Sequence, residues 1–319
     1  MKRIAVLTTG GDAPGMNAAI RAVVRTATNQ KVEVMGVFRG WWGLINEELK
    51  LLDHRSVSGI INLGGTVLKT TRCPEFSTPE GEKRAFETIQ KNKIEGMVVI
   101  GGNGSFSAAH KFYNKYKVPC IGLAASIDND INGIDVTAGV DTAVNTALNA
   151  IDNIRDTATS MERVYVVEVM GRDCGFIALA VALAGGCEEV LIPERKFDLH
   201  AICHDIVQGN LRGKISWIIV VAEGAGKAED IAGQIKEITS LDTRSVVLGH
   251  VQRGGRPTAL SRDLALRLGN EAVNCLLRGE TDKAVGFSAG KVCLVDFETA
   301  IQKKEIKIDK VLELIKILT

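Results

Sequence analysis

Short apolar runs rich in Val and Ile return along this chain at intervals that leave room for a helix, and that rhythm narrows the fold more than any single motif. The runs are Ile4 to Leu7, Val32 to Val37, Met97 to Ile100, Cys120 to Leu123, Val164 to Val169, Val190 to Ile192, Trp217 to Val221 and Val246 to Leu248. Runs of this kind without polar alternation read as buried strands. Between them, helical spacing covers Asn17 to Thr28, Pro79 to Lys91, Thr142 to Thr159, Leu199 to Leu211 and Ala259 to Leu277. Such alternation predicts an α/β fold, doubly wound around largely parallel sheet.

Tandem glycines fall where those strands are expected to end: Gly10-Gly11, Gly64-Gly65, Gly101-Gly102, Gly185-Gly186 and Gly254-Gly255. Ligands of such sheets bind at the carboxyl ends of strands. With 319 residues, 45% of them hydrophobic, the chain can bury a large core as one large or two ordinary domains. No composition shift marks a boundary. The 39 Lys and Arg nearly cancel the 38 Asp and Glu, so no global field points to nucleic acid or a membrane surface. Any anion site must therefore be built locally. Cys73, Cys120, Cys174, Cys187, Cys203, Cys275 and Cys293 are scattered and odd in number, without a C-x-x-C pair, which fits reduced thiols. The Met1-Lys2-Arg3 start shows no signal-peptide pattern, and no apolar run approaches ~18 residues, so a cytoplasmic protein is expected.

Six clusters could carry chemistry. Thr8 to Asn17 passes from a strand through Gly10-Gly11-Asp12-Ala13-Pro14-Gly15 into a helix, where glycines let phosphate approach backbone N–H groups. The Walker pattern and G-x-G-x-x-G are both absent. Ile100-Gly101-Gly102-Asn103-Gly104-Ser105 offers backbone donors and a hydroxyl to a polyphosphate. Ser126-Ile127-Asp128-Asn129-Asp130 sets two carboxylates two residues apart, one suited to accept a hydroxyl proton and one to orient metal or arginine. Val169-Met170-Gly171-Arg172 delivers an arginine, Val221-Ala222-Glu223-Gly224 a carboxylate, and Leu248 to Gly255 places His250 and Arg253 beside a tight turn. Singly, each is equally a structural turn or a satisfied polar group. Together they suggest one crevice.

The ordered set GGDAPGMNAAIR, TxRCPEF, GGNGS, SIDND, RDTATSxER, EVMGR, VAEG and LGHVQRGG resembles the bacterial ATP-dependent 6-phosphofructokinase family over nearly the whole chain. The resemblance implies a phosphofructokinase-like fold of two doubly wound α/β domains with largely parallel sheets. Residues 1–140 plus 252–304 would bind nucleotide, and 141–251 plus 305–319 the sugar phosphate. It implies transfer of a phosphoryl group from ATP to the 1-hydroxyl of fructose 6-phosphate in glycolysis, with Mg2+ as cofactor and a homotetramer as the active unit. Asp128 would be the base and Asp130 would support it and the metal. Ser126 stands where Thr is usual, and Arg172 would stabilise charge on the moving group. Gly11, Arg72, Cys73, Gly104 and Ser105 would line the nucleotide phosphates. Met170, Gly171, Glu223, His250 and Arg253 would hold the sugar, with Arg163 and Arg244 reaching its 6-phosphate from a neighbouring subunit.

Asn103 departs from this pattern, because the family commonly carries an acidic magnesium ligand there and an amide binds a hard cation less well. The departure keeps a low-turnover regulatory paralogue open as an alternative; a plain sensor of sugar phosphate or nucleotide is disfavoured by the retained Asp128 and Arg172. Relatives that use pyrophosphate resemble the same family but carry Asp at the position of Gly104 and Lys at that of Ala125, so the small residues here favour ATP. Trp41 and Phe76 are expected as apolar walls for the adenosine. Arg21 and Arg25 lie one helical turn apart, and with Arg155, Gly186, Glu188, Arg212 and Lys214 they match the family's effector site for ADP or phosphoenolpyruvate. His54 and Gly59 stand where that site has Arg and Asp.

Overall fold

The computed structural model describes all residues from Met1 to Thr319. Its strands are β1 (Arg3–Thr8), β2 (Glu33–Val37), β3 (Leu49–Leu52), β4 (Met97–Gly101), β5 (Cys120–Ser126), β6 (Ala138–Gly139), β7 (Val164–Val169), β8 (Glu189–Leu191), β9 (Trp217–Ala222), β10 (Thr243–Val247), β11 (Lys283–Ser288) and β12 (Lys291–Asp296). Its helices are α1 (Met16–Asn29), α2 (Trp41–Ile45), α3 (Pro79–Lys91), α4 (Asn103–Tyr116), α5 (Val140–Met161), α6 (Phe176–Ala184), α7 (Leu199–Leu211), α8 (Ala228–Thr239), α9 (Ala259–Leu277), α10 (Phe297–Ala300) and α11 (Asp309–Leu318). Two compact units result, Met1–Thr142 with Arg253–Lys304, and Ala143–Gln252 with Glu305–Thr319.

The first unit is built on an eight-stranded sheet in the order β12-β11-β5-β4-β1-β2-β3, with β6 beside β5. Strands β11, β5, β4, β1 and β2 run parallel, and the two flanking strands β12 and β3 are antiparallel. Met97 to Gly101 are all buried, as a central parallel strand covered on both faces requires. Helix α3 shows why its sequence was easy to read. Thr78 accepts from the Gly81 N–H, Pro79 opens the first turn beside Glu80 and Glu82, and Lys91 lies in the last turn, each placed as the helix dipole favours.

The second unit carries a four-stranded, wholly parallel sheet in the order β10-β7-β9-β8. A core of Val164, Val166, Leu191, Ile206, Ile219, Val221, Ile231 and Ile235 packs beneath it. No disulfide forms, and all seven cysteines are free thiols. No helix is long and apolar enough to cross a membrane.

Three expectations need correction. Strands β3, β6, β11 and β12 fall outside the predicted Val and Ile runs: β6 has only two residues, β3 and β12 are flanking strands that carry Lys or Asp and bury few residues, and β11 is interrupted by Gly286 and Ser288 although its centre is buried. Gly64-Gly65 lies in the loop after β3 and Gly185-Gly186 closes helix α6, while Gly254-Gly255 follows a 3-10 turn over Gly249–Arg253, so none of these pairs directly ends a strand. Trp41 and Phe76 are each only 5% exposed and stack on one another with ring centroids 4.2 Å apart, against Phe112. They form core rather than an open wall for adenosine.

Candidate active site

In the first unit, β5, β4 and β1 are parallel neighbours, so their carboxyl ends lie side by side along one sheet edge. That edge collects three of the sequence motifs: Gly10-Gly11 after β1, Gly101 to Ser105 between β4 and α4, and Ser126 to Asp130 after β5. The Ser105 hydroxyl, on a residue only 4% exposed, donates to the Thr9 carbonyl at 3.0 Å and ties the first two loops together. Helix α4 begins at Asn103, with Gly104 exposed in its first turn. The N–H groups of Ser105 and Phe106 donate to the Gly102 carbonyl, so this helix start offers phosphate the N–H groups of Asn103 and Gly104 and the positive end of its dipole.

The third loop is held rigidly. Asp128 donates its N–H to the Ser126 hydroxyl at 3.1 Å, and the Thr137 hydroxyl donates to the Ser126 carbonyl at 2.6 Å. Asn129 adopts a left-handed φ of 55°, its amide donating to the Asp135 carbonyl and accepting from the Thr137 N–H. Asn tolerates that conformation better than most residues. Asp128 is 4% exposed and Asp130 half-buried. Lys304 donates to the carbonyls of Asn129 and Ile134, a brace that the sequence reading missed because Lys304 lies far along the chain.

The loop leading to Arg72 and Cys73 is fastened over the β1 turn. Asn17 donates to the carbonyls of Leu63 and Gly64 and accepts from the Val67 N–H, and the Thr70 hydroxyl donates to the Gly10 carbonyl at 2.8 Å. Arg72 is exposed, while partial burial pushes the Cys73 thiol above its ordinary range. The Arg253 guanidinium lies directly against Gly11 and donates to the Asp12 carbonyl at 3.1 Å, so it abuts the glycine turn, and a side chain at position 11 would have to displace it.

In the second unit, β7, β9 and β10 are likewise parallel neighbours and present Met170 to Arg172, Glu223, and Leu248 to His250 at their carboxyl ends. The turn after β7 is unusual. Gly171 has a φ of +138°, and a side chain there would approach the Cys174 carbonyl. Arg172, with a φ of 51°, is left-handed although it is not glycine. Glu223 accepts from the N–H groups of Gly171 at 3.2 Å and Arg172 at 2.8 Å, and fully buried Gln252 accepts from the Met170 N–H at 2.8 Å. Gln252 stood inside the quoted motif but was not singled out. Its burial is a property of the fold that the motif does not carry.

Arg163 and Arg244 come together in this unit around Asp242, which the sequence reading also missed. Of the residues expected at an effector site, Arg155 donates to the carbonyls of Gly185 and Gly186 at 2.6 and 2.8 Å, while Glu188 pairs with Lys214 at 3.2 Å and lies 3.9 Å from Arg155. Arg212 instead turns back to the Gln208 carbonyl of its own helix. Arg21 and Arg25 belong to the first unit, half-buried on α1, where burial and then the neighbouring Arg25 hold the Arg21 guanidinium below its ordinary range. His54 pairs with Thr28 on that helix at 2.9 Å.

The phosphofructokinase family model matches residues 3–276. This chain belongs to the phosphofructokinase family. Within that family it is 49% identical to an ATP-dependent 6-phosphofructokinase of Clostridium tetani over the whole of both chains, and 51% identical to one of Clostridium acetobutylicum over 94% of each. Among solved phosphofructokinases, that of Saccharomyces cerevisiae superposes with a TM-score of 0.89 at 34% identity, covering 94% of this chain and 45% of the yeast chain. A pyrophosphate-dependent phosphofructokinase from Marinobacter aquaeolei superposes with a TM-score of 0.86 at 22% identity, which speaks for the fold alone.

Proposed function

We propose that this phosphofructokinase-family chain transfers the terminal phosphoryl group of ATP to the 1-hydroxyl of fructose 6-phosphate, giving fructose 1,6-bisphosphate and ADP. The observation that carries the reading is the full-length likeness, near 50% identity, to relatives named ATP-dependent 6-phosphofructokinase. The sheet edge that gathers Gly11, Asn103 to Ser105 and Ser126 to Asp130 supports it. Phosphoryl transfer asks the protein mainly for positioning and charge neutralisation.

In this reading Asp128 takes the proton of the sugar hydroxyl, Ser126 holds its loop through the Asp128 N–H, and Asp130 supports the base and the metal. The open start of α4 at Asn103, Gly104 and Ser105 receives nucleotide phosphate, with Gly11, Arg72 and Cys73 beside it. Arg172 meets the charge of the moving group. Met170, Gly171, Glu223, His250 and Arg253 hold the sugar phosphate, and Arg163 and Arg244 reach its 6-phosphate from a neighbouring subunit; Arg253 also packs on Gly11. Nowhere do three or more His, Cys, Asp or Glu side chains stand together as a metal cage. That suits magnesium carried on nucleotide phosphates, which needs few protein ligands. Asn103 and Asp130 are the residues that would hold it, and when bound it neutralises the polyphosphate.

The protein is proposed to be a cytoplasmic homotetramer with ADP or phosphoenolpyruvate as effector at Arg21, Arg25, Arg155, Gly186, Glu188, Arg212 and Lys214. Gly104 and Ala125, small and neutral where the pyrophosphate-using pattern has Asp and Lys, support ATP over pyrophosphate as donor. The deciding experiment is a coupled assay with fructose 6-phosphate that compares ATP with pyrophosphate across magnesium concentration. Turnover with ATP alone is expected. Turnover with pyrophosphate alone, or with neither donor, would overturn the reading.

A further inference from the structure

Asp242 has no part in the roles above, yet it organises two residues that do. The Val164 N–H donates to the Asp242 carbonyl at 3.1 Å, and Thr243 pairs with Val164 in the parallel ladder of β10 and β7. That register brings Arg163, just before β7, level with Asp242, just before β10. Arg244 lies two residues beyond Asp242, and that spacing returns a strand side chain to the same face. Arg163 Nε donates to Asp242 Oδ2 at 2.6 Å, while Arg244 Nε lies 3.1 Å from Oδ1 and Nη2 3.4 Å from Oδ2. One carboxylate thus occupies the donors of two guanidinium groups.

Two cations held together repel each other unless an anion stands between them. A carboxylate in that place presents two oxygens to two guanidinium forks, as the terminal oxygens of a phosphate monoester would. The electrostatics agree with the geometry. The hydrogen bond with Arg163 is the foremost cause holding the Asp242 carboxyl below its ordinary range, and the same bond raises Arg163. The side chains of Arg163, Asp242 and Arg244 are 23%, 40% and 53% exposed, so the pair of arginines is reachable from solvent.

We propose that Asp242 is an internal stand-in for the sugar 6-phosphate, holding Arg163 and Arg244 converged in the free protein and giving up their donors when a phosphate monoester arrives. The inference rests on the reading that these arginines take the 6-phosphate, and it adds a source of specificity. A dianionic phosphate wins the donors from a single carboxylate, whereas a neutral or singly charged group does not.

The test is Asp242→Asn, which keeps the shape and removes the charge, with Asp242→Ser as a smaller neutral variant checked for native fold by circular dichroism. Both are expected to lower the KM for fructose 6-phosphate about three- to tenfold with kcat within about twofold, since a competing charge a few ångströms away is gone. Inorganic phosphate, used as the probe, is expected to protect both variants against thermal unfolding at lower concentration than the wild type. An unchanged or raised KM would overturn the stand-in role. Arg163→Ala and Arg244→Ala test the underlying reading separately. If neither raises the sugar-phosphate KM, the 6-phosphate assignment fails; if both raise it and Asp242→Asn raises it too, the arginines bind phosphate and Asp242 is a brace only.

Discussion

At the scale of single residues, the proposed chemistry concentrates on Asp128 and Asn103. Asp128 sits at 4% exposure in a loop pinned by Ser126, Thr137 and Asn129, so replacing its carboxylate by an amide leaves the loop's supports in place. Asp128→Asn is expected to lower kcat roughly 10²- to 10⁴-fold, the usual contribution of a positioned base, with the sugar KM little changed. A steady-state comparison showing less than about threefold loss would remove Asp128 from that role. Asn103, opening α4, brings an amide where carboxylate would serve magnesium better. Asn103→Asp is expected to lower the magnesium midpoint of kcat at saturating ATP and fructose 6-phosphate; identical titrations would show that position 103 does not meet the metal. Residues such as these were visible in the sequence because glycine, carboxylate and arginine recur in ordered short motifs. Asp242, Gln252 and Lys304 were not, because what marks them is a partner brought near by strand register or burial, and neither is written in a local pattern.

At the scale of elements, the sequence was most legible where the local signals agree with the tertiary environment. Strand β7 and helices α3, α7 and α9 occupy the predicted spans, each helix opening on a side chain that caps it: Thr78, Asp198 and Thr258. Helices α2, α4, α6, α8, α10 and α11 went unread. Helix α6, Phe-Ile-Ala-Leu-Ala-Val-Ala-Leu-Ala, is apolar on nearly every side, so it has little helical period to detect. The turn after β7 depends on a contact from Gln252 to the Met170 N–H. Gln252→Leu retains the volume but leaves that buried donor without its acceptor, and is expected to cost about 1–3 kcal/mol of stability. Chemical denaturation with an unchanged midpoint would show that the contact contributes nothing.

At the scale of the whole molecule, the first of the chain's three passages between the units, at residue 142, falls inside helix α5, and the second, at residue 252, inside a 3-10 turn, neither in a linker, which is why composition carried no sign of them. Folding stability belongs to the whole chain and is a small difference between large quantities, so one strained residue is felt by all of it. Arg172, left-handed at a φ of 51°, is such a residue, since that conformation costs a side-chain-bearing residue about 1–2 kcal/mol and glycine almost nothing. Relief of that strain is partly offset by glycine's greater freedom in the unfolded chain, so Arg172→Gly is expected to raise the unfolding temperature by no more than about 2 °C while sharply reducing phosphoryl transfer, measured by calorimetry and by the coupled assay. Every arginine codon is one base away from a glycine codon, so mutation supplies this change freely. A laboratory population selected only for heat tolerance would drift toward glycine at position 172, and one selected for growth on sugar would be returned to arginine, making that codon a readout of which pressure the enzyme last experienced.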